Sequence, residues 1–448
     1  MTATAHPFLH GEFAPVREEL TAVDLEVTGT LPVELDGRYL RNGPNPVGAV
    51  DESRHHWFLG SGMVHGIRLR DGRAEWYRNR YVRTADVTSV LGGEPCPSQW
   101  PDDHQASSAN TNVIAHAGRT WAIVEAGSPP VELSYDLGTV RASSFDGTLP
   151  HAFTAHPKRD PHTGELHAVV YYWGWGNRVQ YLVVDTDAHV RRTVDIPLPG
   201  GPMIHDMSLT ERYAVVYDLP CTFDMEAAAG GSPFPYRWDE GYVPRVGLLP
   251  REGSAEDIRW CETDSCYVFH PLNAHDLPDG RVLLDVVRHP RMFATDQRGP
   301  NEGASVLERW IADPVTGRTD ITRLDDRSIE FPRVDERLVG LPHRYGYAAG
   351  LQNGFEQRAI VRYDLEAGTS IVRDEGAGFG FGEAVFIPRD AAAAEDDGWV
   401  MALRLDRAAD RSDLVVLDAQ DITGDPVATV HLPARVPAGF HGNWCPDA

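Results

Sequence analysis

The stretch MVHGIRLRDGRAEWYRNR, Met63–Arg80, decides the fold class. Two strand-like runs, Met63–Arg70 and Arg73–Arg80, flank the turn pair Asp71-Gly72, which is the signature of a β-hairpin. The form recurs outward from it. Tyr181–Val184 with Val190–Ile196, Ser305–Ile311 with Thr319–Leu324, Gln357–Tyr363 with Thr369–Arg373, and Trp399–Leu405 with Asp413–Leu417 each bracket a polar break. Thr120–Val124, His167–Trp173, Arg212–Tyr217 and Arg281–Val287 are further strand-like runs. Helical spacing is confined to Ala391–Glu395 and to a start at Ser254–Asp257. A β pattern sustained without a composition break or linker predicts one all-β unit over residues 1–448. A β-propeller closes so many strands without leaving exposed edges. No WD or kelch repeat is present, so periodicity gives no blade count. Seven blades would average about 64 residues, room for four strands and long loops.

The chain carries 41 basic and 66 acidic residues, a net charge of −25. Such a surface repels phosphate backbones and excludes nucleic acid as the main partner. No apolar run is long enough for a transmembrane segment. The start, MTATAHPFLHGEF, lacks a basic n-region and an apolar h-region, so no signal peptide is expected. The five cysteines (Cys96, Cys221, Cys261, Cys266, Cys445) have no CxxC spacing. Reduced thiols and a cytoplasmic location are expected.

Histidine carries the chemistry. In FTAHPKRDPHTGELHAVVYYW, His156 precedes a turn and then an apolar strand. His205 in MIHDMSLTERYAVVYDLP and His270 in FHPLNAHDLPDGRVLLDVV stand in the same context. Similarly placed histidines in successive strand units of a propeller converge on its axis. His441 in GFHGNW is a fourth candidate, where a closing strand brings the C-terminal end back to the start. His275 and His289 are rivals, and His275 could replace His270. His10, His55, His104, His116, His162, His189, His343 and His431 lack this context and are read as structural or solvated. Neutral imidazole suits Fe, Cu, Zn and Ni. Four imidazoles leave the charge of a divalent ion uncompensated, so carboxylates are expected behind the rings. Glu125 (AIVEAG), Glu330 (SIEFP) and Glu383 (FGEAVF) sit in apolar sequence, where an unpaired carboxylate would be costly. The segment Glu226–Pro235, with Phe234, Tyr236 and Trp238 around it, is either a surface loop or an apolar lip at a substrate entrance.

Together these segments resemble the carotenoid cleavage oxygenase family nearly end to end. LDGRYLRNGPNP (Leu35–Pro46) looks like its N-terminal motif. HWFLGSGMVHG (His56–Gly66) is similar to the family's HWFDGDGMVH stretch, with departures at Leu59 and Ser61. NRYVRT, ANTNV, VEAG, TAHP, IHD, FHPLNAHD, EFPR, GEAVFIPR and FHGNW follow in family order. The resemblance implies a seven-bladed propeller with a dome of loops and short helices over an axial metal site. It implies one non-haem Fe(2+) per chain, held by His156, His205, His270 and His441. Glu125 would stand behind His205, Glu330 behind His270 and Glu383 behind His441.

By the same resemblance the reaction is oxidative scission of a C=C bond of an apolar polyene by O2, giving two carbonyl products. No organic cofactor is implied. Phe58, Phe269 and Phe331 are candidate walls of the substrate tunnel, with core packing as the alternative. The family also contains lignostilbene-type enzymes, which place a Lys before the VEAG-region Glu to engage a phenol. That position is Val124 here, which favours an apocarotenoid or carotenoid over a phenolic stilbene. The segment Asp86–Ser107, with Trp100, is read either as a cover of the entrance or as a plain surface connection. The acidic chain is repelled by anionic lipid, so any peripheral membrane contact is expected to be weak and apolar.

Overall fold

In the computed structural model the founding hairpin is Gly62–Arg70 paired with Arg73–Tyr81. Asp71 and Gly72 both take left-handed backbone (φ 49° and 70°), the geometry a two-residue hairpin turn demands. The structure describes residues 6–100 and 106–447. The other four hairpins also form. Among them are Val306–Asp313 with Arg318–Asp325 and Gly398–Asp406 with Arg411–Asp418.

Strands dominate the described residues, and the sheets are built almost wholly of antiparallel neighbours. Four-stranded sheets cover Asn112–Ala142, Lys158–Pro197 and Ile329–Arg373 in simple up-and-down order. An eight-stranded sheet runs from Ser208 to Asp325 and is joined across its middle by one parallel pair, Glu262 with Arg318. The arrangement is propeller-like and closes on itself. The early strand Gly37–Pro44 pairs with the last, Gly442–Pro446, and Val27–Gly29 pairs with Ala428–His431. Gly37 is required at this seam, since a Cβ there would lie 2.6 Å from the Cys445 carbonyl oxygen.

The core lies between neighbouring sheets. Val169 and Tyr181 pack with Val215 and Leu248, and Tyr39 and Ile67 pack with Met401 and Leu414. Each fully buried aliphatic side chain contributes roughly 1.5–3 kcal/mol. Four of the candidate site residues stand on an opening strand or just before one. His156 precedes Lys158–Arg159, His205 precedes Ser208–Leu209, His270 lies in Tyr267–Asp276 and Glu330 in Ile329–Arg333.

Two local expectations need correction. Ala391–Glu395 is not a helix but the loop of a hairpin between Val385–Pro388 and Gly398–Asp406. The Arg337 guanidinium donates to the carbonyls of Asp390, Ala391, Ala393 and Ala394, which a helix would need for itself. Glu226–Pro235 is not loop throughout. Met225–Ala229 is a short helix, capped by the Asp224 carboxylate, which accepts from the Ala227 N–H at 2.9 Å. Ser254 does start a single 3-10 turn, Ala255–Asp257, with a capping box.

Candidate metal centre and its cavity

Local irregularities aim His270, Glu330 and Glu125, and hydrogen bonds hold the segments of His205 and His441. His270 sits where the pairing of Tyr267–Asp276 with Val282–His289 shifts register on both sides of Pro271. Such bulges re-aim a side chain. Glu330 precedes another shift, and Phe331 after it holds φ at 54°, a left-handed conformation costing an aromatic residue about 1–3 kcal/mol. Glu125 follows the strand Arg119–Ile123 and is turned inward by the left-handed pair Ala126 and Gly127. The loop carrying His205 is tied down by the Tyr267 hydroxyl, which donates to the Met203 carbonyl at 3.0 Å. His441 enters beside the closing strand, its N–H donating to the Thr111 carbonyl at 3.1 Å.

The structure brings His156, His205, His270 and His441 together. All four are buried, and one ring nitrogen of each lies within 4.8 Å of the others. His156 Nε2 is 3.0 Å from His205 Nε2, which is 3.1 Å from His270 Nε2. Behind the rings, His270 Nδ1 meets a Glu330 oxygen at 2.5 Å and His441 Nδ1 meets Glu383 at 3.0 Å. His205 Nδ1 lies 2.7 Å from Glu125, but off the hydrogen-bonding direction, so neither atom gains a well-aligned bond. His275 stays outside the cluster beside His343, their ring centroids 6.0 Å apart. His289 is not a ligand candidate either. Its Nε2 meets the second Glu330 oxygen at 2.7 Å, so it braces the carboxylate that braces His270.

These contacts fit a cation between the rings. A carboxylate only accepts, so it places the ring proton on Nδ1 and leaves a lone pair on Nε2. For His270 and His441 that lone pair points at the other rings, and His270 Nε2 lies 3.1 Å from His205 Nε2. An ion about 2.1 Å from two imidazole nitrogens separates them by about 3.0 Å at a right angle. Carboxylates stand behind three of the rings, and half-buried Arg333 lies 3.3 Å from one of them, Glu383.

Protonation follows burial and these partners. Burial pulls His156 well below the ordinary histidine value and His270 down to about 3, and it lowers His441. Burial also acts on His205, but the Glu125 carboxylate more than offsets it and the value is raised. Burial works against Glu330 and Glu383, yet His270 holds the first below the usual carboxylate range and Arg333 with His441 the second. Three imidazoles are therefore kept as neutral donors.

The cluster forms the floor of a cavity of about 680 Å³, a size suited to a small apolar molecule. Phe58, Phe269 and Phe331 all line it. Phe269 meets the His205 ring at 5.2 Å and Phe331 the His441 ring at 5.4 Å between centroids. Phe234 and Tyr236 also line it, which gives the Glu226–Pro235 region the place of an apolar wall; Trp238 is not among the lining residues. Asp86 and Ser107 reach the cavity, but Trp100 does not cover it. Its indole N–H donates to the Ser143 carbonyl at 3.0 Å, and the ring packs on the cluster around Trp121 and Phe145. Residues 101–105 of that segment, with His104, lie outside the described residues.

Sequence reasoning missed Arg333 beside Glu383 and Phe440 as a lining residue. Phe440 was the more accessible of these. Phe269–His270, Glu330–Phe331 and Phe440–His441 share one local form, a phenylalanine beside a residue of the metal site.

The family model for RPE65, retinal pigment epithelial membrane protein, matches residues 13–446. The chain belongs to this family of carotenoid cleavage oxygenases. It is 46% identical to a carotenoid cleavage oxygenase of Mycobacterium tuberculosis over 98% of each chain. Its fold is similar to that of the lignostilbene dioxygenase of Pseudomonas brassicacearum, with a TM-score of 0.88, 30% identity and 98% of each chain covered. It is also similar to the cobalt-substituted apocarotenoid oxygenase (ACO) of Synechocystis, with a TM-score of 0.86 and 27% identity over 97% of each chain. The chain matches these relatives over 97–98% of its length.

Proposed function

We propose that this chain is a non-haem Fe(II)-dependent dioxygenase that cleaves a C=C bond of an apocarotenoid or carotenoid into two carbonyl products. The carrying observation is the convergence of four imidazole nitrogens, with three of the rings lining an aromatic cavity of about 680 Å³. His156, His205, His270 and His441 would hold one Fe(2+) per chain. When bound, Fe(II) supplies the capacity to bring O2 to reaction with the alkene. The balance closes without a reductant, since the C=C and O=O bonds break and two C=O bonds form. Glu330 and Glu383 fix the rings of His270 and His441 and hold their protons on Nδ1, and Glu125 stands 2.7 Å behind His205 Nδ1. Phe58, Phe269 and Phe331 present faces and edges to a flat conjugated chain, orient it over the floor and exclude water.

A second reading, a lignostilbene-type dioxygenase acting on phenolic stilbenes, is favoured by the likeness to the Pseudomonas brassicacearum enzyme. Val124 lines the cavity and opposes that reading, because an apolar side chain neither binds nor deprotonates a phenol. Parallel turnover assays on apocarotenals and 4-hydroxystilbenes with the Fe(II)-loaded protein separate the two. Aldehyde products from the polyene are expected, and cleavage of the stilbene alone would overturn the preference.

The same reading takes residues 1–448 as one seven-bladed unit. Dividing the eight-stranded sheet at its single Glu262–Arg318 pair leaves two four-stranded units, which supports that count. The cavity-lining segments Trp57–Leu59, Met225–Ala229 and their loops would be part of the dome. Polyene and O2 are the partners. No helix among the described residues is long and apolar enough to cross a membrane. Leu59 and Trp173, half-exposed and lining the cavity, would give a weak peripheral membrane contact without cationic help. A cytoplasmic location is supported by five cysteines that are all free thiols.

A further inference from the structure

Among the described residues a glutamate stands behind His205, His270 and His441 but not behind His156. The His156 Nε2 meets His205 Nε2 at 3.0 Å, which leaves Nδ1 on the far side of the ring. There it faces the Asp206 carboxylate, whose Oδ2 lies 3.8 Å away. Both side chains are buried. Asp206 directly follows His205, so one dipeptide supplies a ligand candidate and the carboxylate beside another. Two donors anchor that carboxylate. Its Oδ1 accepts from the Met207 N–H at 2.6 Å, and its Oδ2 accepts from the Lys158 ammonium at 2.8 Å. Lys158 is the one lysine among the 41 basic residues of the chain. The type matters at this place. An ammonium donates as a point and leaves a lone pair of Oδ2 open, whereas a guanidinium fork engages both oxygens of a carboxylate.

We propose that Asp206, anchored by Lys158, is the positioning carboxylate of His156 and takes the place of the glutamate that this ring lacks. The inference rests on the Fe(II) reading above. A ring that gives its Nε2 lone pair to a cation carries its proton on Nδ1, and that proton needs an acceptor. A hydrogen bond closes near 2.9 Å, so the ring has about 1 Å to travel toward a carboxylate that Lys158 and Met207 hold still. The buried carboxylate gains a third donor in the same movement. His156 is therefore the ring whose brace forms with the ion. Those of His270 and His441 are in place without it, at 2.5 and 3.0 Å.

Co(II) titration of the chelator-stripped full-length protein tests this as a double-mutant cycle. Asp206→Asn lowers Co(II) affinity about tenfold, the low end for a group behind a ligand, because Lys158 shares the carboxylate. His156→Ala keeps three imidazoles, enough to hold the ion. In that background Asp206→Asn changes the affinity less than about twofold, since the ring it acts through is gone. An unchanged affinity in the first case overturns the proposal. So does an equal loss in both backgrounds, the outcome for a carboxylate that acts on the ion by its charge alone or only supports the fold. A second reading leaves Asp206 as it is. In the Zn(II)-loaded protein the held Nδ1 proton of His156 exchanges slowly with water and gives a downfield imidazole resonance in the proton spectrum, which His156→Ala removes. A spectrum that loses no such resonance also overturns the proposal. Failure of the wild type to bind any Co(II) instead overturns the metal reading on which it rests.

Discussion

At the scale of single residues the site depends on which atom holds each proton. Glu330 accepts from His270 and His289, so Glu330→Gln puts an amide where two ring N–H groups need an acceptor. Fe(II) affinity is expected to fall about 10–100-fold with the fold retained, measured by titration under nitrogen with circular dichroism as the control. Val124→Lys places a cation in the apolar cavity. It should lower kcat/KM for an apocarotenal at least tenfold and raise turnover of a 4-hydroxystilbene, both read by product chromatography. The four histidines and three glutamates were legible because each sits in a distinctive local string. Arg333 and His289 were not. Both act through side chains far away in sequence, and no local pattern reports that a guanidinium lies beside Glu383 or an imidazole behind Glu330.

At the scale of elements, strands were legible where a turn pair separates two alternating runs, as at Asp71-Gly72. Register shifts were not, because a bulge leaves the composition of a strand unchanged, and the shifts at Pro271 and Phe331 are what aim His270 and Glu330. The helix expected at Ala391–Glu395 failed because one guanidinium on another element captured its carbonyls. Strand pairs also carry charge. Asp285 and Arg309 face each other across adjacent strands with two contacts of 2.8 Å. Burial pushes the Asp285 carboxyl up, but Arg309 and His343 more than offset that and hold it below its ordinary 3.8. A depressed folded value means stabilisation present above the unfolded value and lost as pH falls through the folded one. Asp285→Asn is therefore expected to cost about 3 kcal/mol at pH 7, the low end for a broken buried pair because Arg309 keeps some water contact. The gap to wild type should narrow below about pH 4, as measured by urea unfolding at several pH values.

At the scale of the whole molecule the ring closes through Gly37–Pro44 and Gly442–Pro446, next to His441. Closure and metal site are thus coupled. Gly37→Leu forces a side chain into the Cys445 carbonyl and the Trp444 ring. It should cost about 1–3 kcal/mol or more, lower Tm, and weaken Fe(II) binding although Gly37 touches no ligand candidate; calorimetry and metal titration read the two effects. Ring closure was anticipated from the position of His441, but the part of Phe440 in the cavity wall was not, since cavities arise between elements that no single segment describes. X-ray absorption at the iron edge of the Fe(II)-reconstituted protein gives the decisive result. Four imidazole nitrogens at a common distance, with any remaining light ligands from solvent, are predicted. Fewer than four imidazoles, or a thiolate sulfur among the ligands, would contradict the joint binding of one ion by His156, His205, His270 and His441.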